Sequence, residues 1–339
     1  MPQSVDPRRD ALERWLRAQL NGASFRVAPA SEDASFRRYF RVTLDDTRSY
    51  IAMDAPPERE PCAPFVHVAG LLRAAGVNAP EVHAQDLAQG FLLLTDLGTQ
   101  TYLDLLQTAE PETARILFAD AMEALVRWQC ASRPGVLPPY DAVRLHAEMA
   151  LFPQWYVGRH LGAELTPEQA AALERVFGLL IASATAQPQV FVHRDYMPRN
   201  LMRSDPNPGV LDFQDAVIGP ISYDVVSLLR DAFISWDEEL VLDWCVRYWE
   251  RAAAAGLPVD ADFAEFYRAF EWMGLQRHLK VLGIFARLTY RDGKSKYVED
   301  TPRFLGYARA VATRYAPLAP LARLLQQLEG QAPRSVLSF

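Results

Sequence analysis

The period of the apolar positions changes near residue 95. Before it, three short apolar runs read as strands: Phe40-Arg41-Val42-Thr43-Leu44, Tyr50-Ile51-Ala52-Met53 and Phe91-Leu92-Leu93-Leu94. Asp45-Asp46-Thr47-Arg48 suits a hairpin turn between the first two. Leu12, Trp15, Leu16 and Leu20 recur at helical spacing and predict an amphipathic helix over 10–20. A second helix is predicted over 66–75, stopped by Gly76 and then Pro80. After Thr95-Asp96-Leu97-Gly98 long helical patterns take over, at about 112–131, 143–161, 167–185, 238–255 and 260–288. The pattern predicts an α+β fold in two lobes. Residues 1–95 form a small sheet with helices, 96–100 a hinge, and 101–339 a larger, mainly helical lobe.

One stretch interrupts the helices. Val190-Phe191-Val192 reads as a strand, and the polar, proline-bearing segment 194–199 as a loop. Leu201-Met202-Arg203 and Val210-Leu211 then flank Ser204-Asp205-Pro206-Asn207-Pro208-Gly209, which has the composition of a turn. Folding that hairpin about Pro206 places Asn200 opposite Asp212. Two oxygen ligands would then face one space, as a hard cation such as Mg²⁺ requires. Asp195, at the start of the loop, is placed to accept a proton from an incoming hydroxyl. The spacing H-x-D-x-x-x-x-N…D, from His193 to Asp212, suits deprotonation of a hydroxyl beside a magnesium-held nucleotide triphosphate.

Composition narrows the partners. The chain has 339 residues, half of them hydrophobic, enough for a substantial core. A net charge of −7 argues against nucleic acid as a partner. Cys62, Cys130 and Cys245 lie far apart and show no metal or redox spacing, as expected in a reducing compartment. The charged N-terminus lacks an apolar h-region, and no apolar run approaches membrane-spanning length. The expected location is the cytoplasm, without membrane contact.

His193, Asp195, Asn200 and Asp212 resemble the signature of the aminoglycoside phosphotransferase family, small-molecule relatives of the protein kinases. Gly219-Pro220-Ile221-Ser222-Tyr223-Asp224 resembles that family's G-D-P-x-Y-D segment, with Pro220-Ile221 where Asp-Pro is frequent. The resemblance spans about 25–315 and implies a bilobal, protein-kinase-like fold and the cofactors ATP and Mg²⁺. It implies that Asp195 is the catalytic base and that Asn200 and Asp212 bind metal. Asp224 is expected to brace the backbone of the catalytic loop, and His193 to be structural. Adenine would pair with the backbone of Thr95, Asp96 and Leu97. The loop expected to cradle phosphate, 31–40, has no glycine; Ser35, Arg37 and Arg41 are its candidate phosphate ligands, with Arg38 on the opposite strand face. The family's second strand normally carries a phosphate-binding lysine. Met53 stands there, and the facing helix Phe65–Leu72 lacks the glutamate that would pair with it.

Ser35–Phe40, Met53–Glu58, Leu94–Gly98, His193–Tyr196 and Gln276–Phe285 are similar to one branch of the family, the anomeric sugar kinases of cell-wall recycling. The resemblance implies ATP-dependent phosphorylation of the C1 hydroxyl of N-acetylmuramate and N-acetylglucosamine, with a downstream nucleotidyltransferase linked by pathway only. Met53 is at home in that branch. Glu148, Phe152 and Trp155, at i, i+4 and i+7, would offer the sugar a carboxylate and aromatic platforms from one helix face. Arg277 and Lys280, or Arg287 and Arg291, would meet a sugar carboxylate. Aromatics and arginines at helical spacing also serve cores and solvated surfaces, and His278 reads as a satisfied core histidine. Two alternatives stay open, an aminoglycoside or amino-alcohol phosphotransferase and a nucleotide-binding pseudokinase.

Overall fold

A computed structural model describes residues 6–31, 36–45 and 48–331. The chain divides into two compact units, residues 1–128 with 198–216 and residues 129–197 with 217–339. The segment 95–100 lies inside the first unit, which also takes in the hairpin after Asn200.

The first unit is built on a five-stranded antiparallel sheet. Its strands are β1 (Phe25–Ser31), β2 (Arg38–Leu44), β3 (Ser49–Asp54), β4 (Val82–Asp86) and β5 (Phe91–Thr95), ordered β1-β2-β3-β5-β4. Alternation along β2 sends Phe40, Val42 and Leu44 to one face. There they pack on Leu12 and Leu16 of α1 (Pro7–Gln19), the apolar stripe that the sequence predicts. α1 starts at Asp6, whose side chain caps Arg9 N–H and pairs with Arg38. Arg38 also reaches Asp54, which Arg8 of α1 holds from its other oxygen. The opposite face carries Tyr39 and Arg41. α2 (Ala63–Ala74) follows β3, and α3 (Tyr102–Leu106) and α4 (Pro111–Cys130) follow β5. β1 and β4 add an edge strand on each side of the three expected strands. Of the expected turn at 45–48, Asp46 and Thr47 lie outside the described residues.

The second unit is helical: α5 (Ala142–Met149), a π-helical segment Phe152–His160, α6 (Pro167–Ala186), α7 (Tyr223–Leu229), α8 (Glu238–Ala254), α9 (Phe263–Tyr290), α10 (Thr301–Arg314) and α11 (Ala319–Gln331). Its core joins Met149, Phe152, Phe177, Leu279 and Leu282 with Phe304 and Leu325. The 28-residue α9 is its axis, buried on most sides from Phe266 to Ala286. A two-stranded sheet, β6 (Gln189–Val192) with β9 (Val217–Pro220), presents the loop that starts at His193. The hairpin β7 (Leu201–Met202) with β8 (Gly209–Val210) belongs to the first unit. Among the described residues no helix is long and apolar enough to cross a membrane.

Candidate active site

The first unit holds a cavity of about 340 Å³. Tyr39, Arg41 and Leu94 from the sheet line it, with Thr95, Asp96 and Leu97 after β5 and Asn200 and Asp212 from the hairpin. The register differs by one residue from the expected one. Leu201 pairs with Val210, and Leu211 N–H donates to Asn200 O at 2.9 Å, so Asn200 stands opposite Leu211. Asp212 reaches Asn200 because its backbone turns left-handed, at φ 62°. Its carboxylate then accepts Asn200 Nδ2 at 3.3 Å and Gln214 Nε2 at 2.9 Å. Among the described residues no three His, Cys, Asp or Glu side chains gather as a metal cage. An Asn and an Asp, completed by phosphate oxygens and water, fit Mg²⁺ in the way this hard ion is usually held.

In the second unit, Asp195 follows a strained residue. Arg194 has φ 79° and is held there by Asp224, which accepts His193 N–H at 2.6 Å and Arg194 N–H at 2.9 Å. Burial raises the Asp224 carboxyl, the two N–H donors and Arg277 offset only part of that rise, and the result is about 7. Asp195 also meets a desolvation cost, but Arg277, Lys280 and Arg194 outweigh it and hold the carboxyl below the usual range. Its side chain keeps 40 % exposure, so an ionised oxygen remains accessible to a substrate hydroxyl. Arg277 lies 3.8 Å from Asp195 Oδ1 and donates to Arg194 O at 3.2 Å and to Tyr223 Oη at 3.4 Å. Both oxygens of Glu148 are engaged: Oε1 accepts Arg194 at 2.5 Å, and Oε2 meets Lys280 at 3.1 Å and the Tyr140 hydroxyl. Burial opposes its charge; Lys280 and Arg194 still keep it ionised below the usual range.

A sequence model of the phosphotransferase enzyme family matches residues 26–257. The chain belongs to this family. It is 56 % identical over 302 residues to an N-acetylmuramate/N-acetylglucosamine kinase of Pseudomonas aeruginosa, covering 89 % of this chain and 88 % of the relative. A kinase of the same name from Pseudomonas putida is 52 % identical, covering 98 % and 99 %. Among solved structures, a choline/ethanolamine kinase family protein from Mesorhizobium loti superposes with a TM-score of 0.62 at 15 % identity, covering 94 % of this chain and 99 % of that one. The fold is the α+β kinase-like fold that the motif implies, and the protein is a phosphotransferase enzyme.

Within this phosphotransferase the candidate residues have different surroundings. Arg41, Thr95, Asp96 and Leu97 line the cavity with Asn200 and Asp212. Arg41 binds Asp96 through two nitrogens, at 2.7 and 3.0 Å, and Gly98 O at 2.7 Å, which ties it to the segment after β5. Arg37 precedes β2 and pairs with Glu60 at 2.7 Å. Ser35 lies outside the described residues. His193 is buried, and its Nδ1 accepts Asp195 N–H at 3.3 Å. Trp155 packs on the helical core. It does not share an α-helical face with Glu148, because α5 ends at Met149 and the π-helical segment changes the period. Arg287 sits ten residues beyond Arg277, about 15 Å along α9. His278 is buried as expected but unsatisfied: neither ring nitrogen has a hydrogen-bond partner among the described residues. Burial, with Arg230 and Arg277 nearby, pushes it well below its ordinary pKa and keeps it neutral. Tyr140, Tyr223, Arg194 and Arg199 were not singled out from the sequence. Arg194 and Arg199 lie inside the H-x-D-x-x-x-x-N motif and Tyr223 inside the segment that resembles G-D-P-x-Y-D, so each had a local signal; Tyr140 has none.

Proposed function

We propose that this enzyme uses ATP to phosphorylate the anomeric C1 hydroxyl of N-acetylmuramate and N-acetylglucosamine. The observation that carries the reading is the 52–56 % identity to kinases bearing both sugars in their name, over most of each chain. In this reading the backbone of Thr95–Leu97 takes adenine in the first unit's cavity, and Asn200 and Asp212 hold Mg²⁺. When bound, the ion would offset phosphate charge and fix the orientation of the triphosphate. Asp195 takes the proton of the acceptor hydroxyl, and Asp224 and Arg277 fix the backbone that carries it. An anomeric hydroxyl is more acidic than other sugar hydroxyls, so a carboxylate kept ionised by Arg277 is a sufficient base. Glu148 supports Arg194 and Lys280, so a sugar contact from it would have to share oxygens already engaged.

A panel of sugars, choline and an aminoglycoside incubated with ATP and read by phosphorus NMR tests this. The expected product is a sugar 1-phosphate from the two N-acetylated sugars, with loss of reducing power. A product that still reduces would exclude the anomeric position. Turnover of the amines alone, or nucleotide binding without transfer to any acceptor, would replace the reading with one of its alternatives.

A further inference from the structure

We propose that Glu148 is a positioning residue for the base: it holds the side chains of Arg194 and Lys280 away from Asp195. The proposal rests on the reading of Asp195 as base and adds what keeps two nearby cations off that carboxylate. Both cations are buried, with side chains 12 % and 8 % exposed. Among the described residues each has a single ion pair, and both pairs are to Glu148. Arg194 takes one carboxylate oxygen and Lys280 the other. Even so engaged, Lys280 and Arg194 follow Arg277 as the largest favourable charges acting on Asp195.

The bonds form a closed circuit within the second unit. Lys280 Nζ donates to Tyr223 Oη at 3.1 Å, and Arg277 donates to the same hydroxyl and to Arg194 O. The Arg194 guanidinium returns to Glu148 and lies over the Tyr140 ring, 5.6 Å from its centroid, while the Tyr140 hydroxyl donates to Glu148. Arg194 is therefore fixed at its N–H by Asp224, at its carbonyl by Arg277 and Ser227, and at its side chain by Glu148. A left-handed non-glycine backbone persists only when its surroundings over-determine it. Asp195 is the next residue, so the circuit sets where its carboxylate stands. Without the charge of Glu148, two buried cations would lose their ion pairs, which is costly. Both would turn toward Asp195, whose charge they already feel. A base bonded to further cationic donors competes poorly for the proton of a hydroxyl.

Steady-state kinetics of the full chain with ATP, Mg²⁺ and N-acetylglucosamine test the assignment on wild type, Glu148→Gln, Lys280→Met and the double variant. This sugar has no carboxylate for Lys280 to meet. Glu148→Gln keeps the size of the side chain and should lower kcat by about 10- to 100-fold, with the KM values within about threefold. Lys280→Met should be milder. The double variant should be about fivefold or more faster than Glu148→Gln, because one of the two stranded cations is gone. A merely structural glutamate would give losses that add, and additive losses overturn the proposal. A rise in the sugar's KM at unchanged kcat also overturns it, since Glu148 would then touch the sugar. If Glu148→Gln does not fold, the double variant decides: folded and within about tenfold of Lys280→Met supports the proposal, unfolded or inactive overturns it. Asp195→Asn in the same assay separates the two readings. Near-normal kcat in that variant, or no transfer by wild type, brings down the underlying reading and the proposal with it. An inactive Asp195→Asn beside additive losses removes the proposal alone.

Discussion

Asp195 owes its charge state to one residue more than to any other. Burial works against its ionisation, and Arg277 is the largest opposing influence. As the proposed base, the carboxylate must be ionised to accept a proton, so the acidic limb of the rate profile should lie below the ordinary carboxylate range. Arg277→Gln removes that influence while keeping a donor near Arg194 O. Its acidic limb should move to higher pH in kcat at saturating ATP. Loss of a charged hydrogen bond to the loop should also lower kcat by about 10- to 100-fold. The stability sign is the same. A depressed carboxyl contributes stability that is present above its unfolded pKa and lost as pH falls through the folded one; the variant should lose it sooner on acidification. An unmoved limb beside a normal kcat would remove Arg277 from any role at Asp195. A change confined to the KM of N-acetylmuramate would return it to the sugar's carboxylate.

Elements were legible where pattern and length agree. β2, β3 and β5 follow from apolar runs bounded by turns, and α6, α8 and α9 from long periodic stretches. β1 escaped because Pro29 and Arg26 break its pattern, and β4 because Val82-His83-Ala84-Gln85-Asp86 is a mostly polar edge strand. The stretch 143–161 reads as one helix, since apolar spacing does not distinguish an α-helix from an α-helix followed by a π-helical turn. The proposed catalytic set was legible because it is nearly contiguous. Of its support, Asp224 was legible as the brace of the loop, whereas the meeting of Tyr140, Glu148, Tyr223 and Lys280 was not, because these residues come together only through tertiary packing. The junction before the π-helical segment has its own test. A Cβ on Gly283 of α9 would lie 2.4 Å from the carbonyl carbon of Leu151, so backbone would have to move. Alanine gains about 1 kcal/mol of helix propensity over glycine, yet overpacking against backbone costs about 1–3 kcal/mol. Gly283→Ala should therefore lower the melting temperature by about 1–3 °C (about 1–2 °C per kcal/mol for a chain of 339 residues). A raised melting temperature would mean that α9 and Leu151 part without cost.

One of the three places where the chain passes between the compact units falls at Met197 and Pro198, inside the H-x-D-x-x-x-x-N motif. The proposed base belongs to one unit and the proposed metal ligands to the other, so nucleotide binding can be tested without reference to the acceptor. A ligand that binds only the folded chain stabilises it by about 2.7 kcal/mol at a hundred times its Kd. ATP with Mg²⁺ should raise the melting temperature, and EDTA should remove the metal-dependent part of that rise. Asp212→Asn keeps an acceptor for Gln214 but loses the charge that attracts the ion. This variant should show the same smaller rise with or without Mg²⁺, equal to the wild-type rise in EDTA. The comparison isolates the metal because adenosine, which carries no phosphate, should stabilise wild type and variant alike. A full Mg²⁺-dependent rise in Asp212→Asn would remove Asp212 from the metal site, whatever its effect on turnover.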